Sequence, residues 1–162
     1  MIRRSSSLIL GPATPADLDA IDEIERHSFP RPWPRSAFEA ELTRPLARLD
    51  VARAPRVIGF CNYWIVSDPE GDAGEVHIHT IATHPDHRRA GVGAALLDRA
   101  LAEGRAARCN LATLEVRRGN APAIAMYERA GFRIVHVRAG YYHNAGDDNG
   151  EDALVMLSAL SP

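Results

Sequence analysis

Residues 81–94, Ile-Ala-Thr-His-Pro-Asp-His-Arg-Arg-Ala-Gly-Val-Gly-Ala, decide the fold. An apolar strand ends at Pro85, and an Arg- and Gly-rich turn opens into the helical run Ala94–Arg105. Gly91 and Gly93 let backbone amides approach an anion with no Cβ in the way, and the unpaired amides of a helix N-terminus add about half a positive charge. Arg88 and Arg89 supply full charges beside them. A tight strand-to-helix turn also needs glycine on steric grounds alone, so the anion reading requires support from elsewhere. Two rival phosphate motifs fit poorly. A Walker A loop needs Gly-Lys-Ser/Thr, and this chain has no lysine; a dinucleotide fingerprint would follow the first strand with three spaced glycines, whereas this turn lies mid-chain. Val92, Leu96, Leu97, Ala100 and Leu101 recur at the three-to-four spacing of a helix that buries one face.

Working outward, Leu8–Leu10 predicts a first strand, and the segment from Pro15 a helix capped by Thr14 with Leu18, Ile21 and Ile24 as its buried stripe. Phe29-Pro-Arg-Pro-Trp-Pro34 is a proline-stiffened loop leading to a helix from about Ser36. Strands are expected over Leu49–Arg53, Val57–Val66, Val76–Thr83, Asn110–Val116, Arg133–Tyr142 and Asp152–Leu157, with a further helix over Ala121–Ala130 ended by Gly131. An acidic, glycine-rich loop, 144–150, separates the last two strands. This order describes an α/β fold with a mixed sheet carrying helices on both faces. No repeat or linker divides the chain, so residues 1–162 are expected to form one domain.

With 162 residues, 46% hydrophobic and 25% charged, the chain suits one globular domain with a full core. A net charge of −2 argues against broad nucleic-acid binding. Cys61 and Cys109 have no CxxC spacing and lie in apolar runs, which predicts buried thiols. The opening Met1-Ile-Arg-Arg-Ser-Ser-Ser-Leu-Ile-Leu has too short an apolar stretch for a signal peptide, and no segment approaches the ~20 apolar residues of a membrane span. A cytoplasmic protein, monomeric or weakly dimeric, is the expectation.

A second stretch, Thr113 to Phe132, carries candidate chemistry. Glu115 lies between Leu114 and Val116 in a strand, so its side chain points opposite theirs, toward a cleft or toward a pairing with Arg117. Asn120 stands at a helix cap, and Tyr127 shares a helix face with Ala123 and Ile124, as an active group or as a core aromatic. His77 and His79 alternate onto one strand face, where an imidazole with a pKa near ~6.5 competes with Glu115 as a base. The pair would suit a metal only with a third ligand of suitable spacing, so no metal is expected.

Arg88-x-x-Gly91-x-Gly93 resembles the pyrophosphate-binding signature of the GCN5-related N-acetyltransferases (GNAT). With Glu115, Asn120, Tyr127, Tyr141-Tyr142 and Glu151-Asp152-Ala153, the chain from Leu8 to Leu157 is similar to the ribosomal-protein-alanine N-acetyltransferase, or RimI-type, branch of that superfamily. The resemblance implies a mixed, mostly antiparallel, twisted sheet flanked by helices. It also implies acetyl-CoA as cosubstrate, and transfer to a protein N-terminus, possibly ribosomal, by direct attack in a ternary complex. Carried over by position, Ile81, Ala82, Thr83, Arg88, Arg89, Ala90, Gly91, Val92, Gly93 and Ala94 would contact the cosubstrate and Asn120 its pantetheine end. Glu115 would be the general base and Tyr127 the general acid, while Phe29, Trp33, Tyr141 and Tyr142 would face the acceptor. The loop at Phe29 is two residues longer than the family's Phe-Pro-Trp, which bears on acceptor choice. The same fold acting on a polyamine or aminoglycoside, or a noncatalytic acyl-CoA-binding module, are the alternatives.

The chemistry demands such residues. An amine attacks a thioester only when neutral; an α-amine of pKa ~7.7–8.0 is about 10% neutral at pH 7, a lysine of ~10.4 less than about 0.1%. A carboxylate at ~4.3 is a poor base for an ammonium, so burial is expected to raise the pKa of Glu115 or a water to relay the proton.

Overall fold

The computed structural model describes residues 7–71, 73–143 and 150–161. The opening six residues and positions 144–149 of the acidic loop, on which two of the expectations bear, lie outside them. Strand β1 (Ile9–Pro12) leads through a 3-10 turn, Pro15–Asp17, into α1 (Leu18–Ser28) and α2 (Arg35–Glu41). Strands β2 (Ala47–Arg53), β3 (Val57–Val66) and β4 (Glu75–Thr83) follow, then a 3-10 turn at Pro85–His87 and α3 (Val92–Ala106). The chain closes with β5 (Leu111–Arg117), α4 (Ala121–Arg129), β6 (Arg133–Tyr142) and β7 (Glu151–Ala159). The strands form one seven-stranded sheet in the order β1-β2-β3-β4-β5-β7-β6. The β4–β5 pair is parallel, and β1–β2, β5–β7 and β6–β7 are antiparallel. This is the mixed, mostly antiparallel sheet that the resemblance implies.

Local chemistry explains where boundaries move from expectation. Strand β1 continues past Leu10 because Gly11 and Pro12 still pair with Val51 and Asp50, and an edge strand tolerates a proline that cannot donate. The turn before α1 is 3-10, and the Asp17 carboxylate reaches back to accept the Thr14 amide at 2.8 Å, which places the α-helical start at Leu18. Helix α3 opens at Val92, two residues before the expected Ala94, because the Gly91 carbonyl accepts the Ala95 amide at 3.0 Å. Strand β7 outlasts its expected end at Leu157, since Ser158 and Ala159 pair with Ala112 and Leu111.

The structure divides into two compact units, residues 7–62 with 80–99 and residues 63–79 with 100–161. In the first, Leu18, Ile21 and Ile24 form the expected buried stripe of α1 and pack with Phe38, Leu49, Val51, Phe60 and Ala82. In the second, Ala112, Leu114 and Val116 of β5 are buried while Thr113, Glu115 and Arg117 alternate onto the other face. Gly104 of α3 lies so close to Val76 of β4 that a Cβ there would clash with the valine side chain. Cys61 and Cys109 are free and buried, as expected. Among the described residues no helix is long and apolar enough to cross a membrane.

Candidate active site

The first unit holds the turn. Gly91 has φ +79, and an added Cβ would meet nothing within 4 Å, so glycine is favoured here by backbone conformation and not by crowding. Arg89 adopts φ 61, a left-handed conformation that costs a side-chain-bearing residue energy and that ligand-clamping turns retain. Arg88 and Arg89 are exposed, and Arg88 is steadied by Nε donating to the Thr83 carbonyl at 3.3 Å. Because the helical ladder starts with Ala95 donating to Gly91, the amides of Val92, Gly93 and Ala94 precede it. First-turn amides just after two exposed arginines suit a diphosphate. Two neighbours support this geometry. Gly59 of β3 lets Val92 and the Ala82 carbonyl come close, since a Cβ there would sit 2.9 Å from Val92 Cγ1 and 3.1 Å from the oxygen. His84 caps the Pro85–His87 turn, its Nδ1 accepting the Asp86 amide at 3.2 Å.

Phe29 and Trp33, also in the first unit, are partly buried against the α1–α2 core, with the Trp33 ring 5.6 Å from that of Phe38. The Trp33 amide donates to the Glu25 carboxylate at 3.0 Å.

The second unit gathers the titratable candidates. His77 pairs with Thr113 across the parallel β4–β5 ladder, and Glu115 follows two residues along on the same face. His77 Nε2 lies 3.1 Å from Glu115 Oε2, and an Arg138 guanidinium nitrogen lies 3.8 Å from Glu115 Oε1. Arg117, the alternative partner of Glu115, bonds Glu151 at 3.1 Å. The hydrogen bond from His77 outweighs burial and lowers the pKa of Glu115, where burial was expected to raise it. The same bond raises the pKa of His77. His77 and His79 do share a face, their rings stacked at 4.4 Å. Among the described residues no group of three His, Cys, Asp or Glu side chains is arranged to hold a metal.

Arginines link this cluster to the tyrosine pair. Arg138 lies over the Tyr141 ring at 5.3 Å and Arg117 over the Tyr142 ring at 4.3 Å, and the two tyrosines meet edge to face at 5.0 Å. Burial, with the charge of Glu115 adding to it, pushes the Tyr142 phenol up to about 12. Tyr127 is 7% exposed and packs edge-on against Phe132 at 5.9 Å. Asn120 is the cap of α4, its Oδ1 accepting the Ala123 amide at 3.3 Å, which leaves the donor end of its amide for a ligand. Glu115, Tyr141 and Tyr142 are thus brought together, while Tyr127 and Asn120 are positioned by α4. The role of Arg138 is not visible in the sequence, because it depends on β6 pairing with β7 and β7 with β5.

Comparison with known proteins places the chain in a family. Residues 18–132 match the model of the acetyltransferase (GNAT) family. The chain is 31% identical to the ribosomal protein bS18-alanine N-acetyltransferase of Escherichia coli K12, over 90% of this chain and 93% of the relative. A Bacillus subtilis 168 protein that carries the same name provisionally is 34% identical over 90% of this chain and 91% of its own. The crystal structure of the ribosomal-protein-S18-alanine N-acetyltransferase from Escherichia coli superposes with a TM-score of 0.82 at 30% identity, covering 96% of each chain.

Proposed function

The chain belongs to the acetyltransferase (GNAT) family, and from that premise we propose that it acetylates the N-terminal α-amine of a ribosomal protein beginning with alanine, in the cytoplasm, with acetyl-CoA as donor. One observation carries this reading. The similarity to relatives named for that activity spans nine-tenths of both chains and so extends well beyond the cosubstrate turn.

The turn of the first unit binds the diphosphate: the amides of Val92, Gly93 and Ala94 face it and Arg88 and Arg89 neutralise it. Strand residues Ile81, Ala82 and Thr83 offer backbone groups to the rest of the cosubstrate and to its thioester oxygen, and Asn120 donates to the pantetheine arm. In the second unit, Glu115 holds His77 in the tautomer that donates from Nε2, which leaves the Nδ1 lone pair to accept a proton. The neutral amine attacks the thioester carbonyl carbon, the new C–N bond forms as the C–S bond breaks, and the amine's proton passes to the His77–Glu115 pair. Tyr127 protonates the departing thiolate; a phenol near pKa ~10 donating to a thiolate near ~8.5 is uphill by about 2 kcal/mol, which a close hydrogen bond offsets. Phe29, Trp33, Tyr141 and Tyr142 hold the first residues of the acceptor.

CoA release is the assay. The enzyme is incubated with acetyl-CoA and short peptides beginning Ala, Ser, Met or Gly, with spermidine and with an internal-lysine peptide. Preference for Ala-first peptides is expected. Turnover of spermidine alone would discard the peptide reading.

A further inference from the structure

Glu25 is 2% exposed and sits in the last turn of α1, at the base of the loop Phe29-Pro-Arg-Pro-Trp-Pro34. Three of those six residues are prolines and have no amide to donate, so the loop's backbone donors are Phe29, Arg31 and Trp33. Glu25 takes two of the three. Its backbone carbonyl accepts the Phe29 amide at 3.1 Å and its carboxyl Oε1 accepts the Trp33 amide at 3.0 Å. The other oxygen, Oε2, is buried with no hydrogen-bond partner.

We propose that Glu25 is the positioning residue of the acceptor loop, clasping it at both ends and so fixing the Trp33 indole where the acceptor's first residues dock. The proposal rests on the reading of this loop as acceptor-binding. An apolar contact would hold the loop more cheaply than a buried carboxyl with one unmatched oxygen, so what this carboxyl adds is its one bond, to the Trp33 amide.

The clasp responds to pH. Burial, with the charge of Asp22 adding to it, pushes the Glu25 carboxyl up to about 7, against the opposing effect of the Trp33 amide. As a neutral acid, Glu25 accepts the Trp33 amide and strands no charge. Ionised, it leaves a negative Oε2 in the core, which opening of the loop to water relieves. Several charged groups on α1 and on the elements packed against it are held in ion pairs of their own. On α1 itself Asp22 pairs with Arg26; from α2, Arg35 pairs with Asp19 and Glu41 with Arg44. Asp17 of the turn before α1 is held by Arg53, and His84 of the turn after β4 lies beside Asp86 and edge-on to His27.

Two variants and two readouts test this. Steady-state kinetics with an Ala-first peptide are measured from pH 6 to 8 for the wild type, Glu25→Ala and Glu25→Gln. Acrylamide quenching of Trp33 fluorescence is measured without substrate in a Trp64→Phe background, which leaves Trp33 as the one tryptophan. E25A is expected to raise the acceptor KM at least tenfold, with kcat and the acetyl-CoA KM within twofold, and to make Trp33 more readily quenched. E25Q keeps the acceptor oxygen without the charge. It is expected to match the wild type at pH 6, and to bind acceptor more tightly and shield Trp33 better at pH 8. An acceptor KM within twofold in E25A, or equal damage to the acetyl-CoA KM, overturns the proposal. If E25A does not fold, a ratio of wild-type to E25Q acceptor KM that stays flat from pH 6 to 8 overturns it. If no peptide is acetylated, the reading of the acceptor is what fails, and the quenching comparison still decides whether Glu25 holds the loop.

Discussion

His77 Nε2 and Glu115 Oε2 lie 3.1 Å apart across the parallel β4–β5 pair, joining two groups separated by 38 positions in the chain. The contact shifts both groups toward their charged forms, lowering the pKa of Glu115 and raising that of His77. A carboxylate held this way is a weaker base, and an imidazole held this way a stronger one. The proton of the acceptor amine is therefore expected to end on the imidazole, with Glu115 supporting the imidazolium. The stabilisation from the pair is lost as pH falls through the lowered Glu115 value and as it rises through the raised His77 value, so the charged pair persists between those limits.

Glu115→Gln tests this division of labour. The amide cannot support an imidazolium, so the pKa of His77 falls and the acidic limb of kcat/KM moves to lower pH, while the rate at pH 7 drops about 100-fold. A pH-rate profile of both proteins checks it. An acidic limb that stays where it was would return the base role to a group other than His77.

Tyr127→Phe removes a hydroxyl and keeps the ring that packs on Phe132, so the fold should survive nearly unchanged. If Tyr127 is the proton donor, kcat is expected to fall roughly 10²-fold while acetyl-CoA affinity holds. Calorimetry for binding and CoA release for turnover separate the two. Equal losses in both would make the tyrosine a packing residue.

How far these groups were legible in the sequence follows from how local each one is. The limits of β3 and β6 coincide with expectation because turn residues bracket each run: Ser67-Asp68-Pro69 closes the first, and Gly131, at φ 96, precedes the second. The alternation of Leu114, Glu115 and Val116 is likewise a property of one strand. The partner of Glu115 was not legible, since His77 reaches it only through the register of a parallel pairing, and the direction of its pKa shift depends on that partner. In strand β6 the limits alone do not give burial: Ile134, Val135 and Val137 are apolar, yet each is exposed on the edge strand of the sheet. The clasp at Glu25 was invisible too, because its burial depends on how α1 and α2 pack.

Gly91→Ala tests the turn. The added methyl has room, so the effect acts through φ +79, a conformation that an L-residue adopts at a cost of about 1 kcal/mol. Relaxation of the turn would tilt the amides of Val92 and Gly93 away from the diphosphate. Coenzyme A affinity, read by calorimetry, is expected to weaken about tenfold while dephosphorylated pantetheine binds as before. Equal weakening of both would move the phosphate contact elsewhere.

Glu25→Gln should also change stability in a pH-dependent way. Burial pushes the folded-state carboxyl up from 4.5 to about 7. Between those values the unfolded chain has already released the proton that the folded chain keeps, so the stability of the wild type falls as pH rises through this window and then levels off. The full difference is on the order of 3 kcal/mol, given that the side chain is almost wholly buried. Glutamine retains an oxygen for the Trp33 amide and never ionises. Denaturant melts should therefore show the variant and the wild type nearly equal at pH 5 and the variant more stable at pH 8, by up to that amount. A constant difference across the range would mean that Glu25 stays ionised in the folded protein, and the stranded charge on Oε2 would then need a partner in the core.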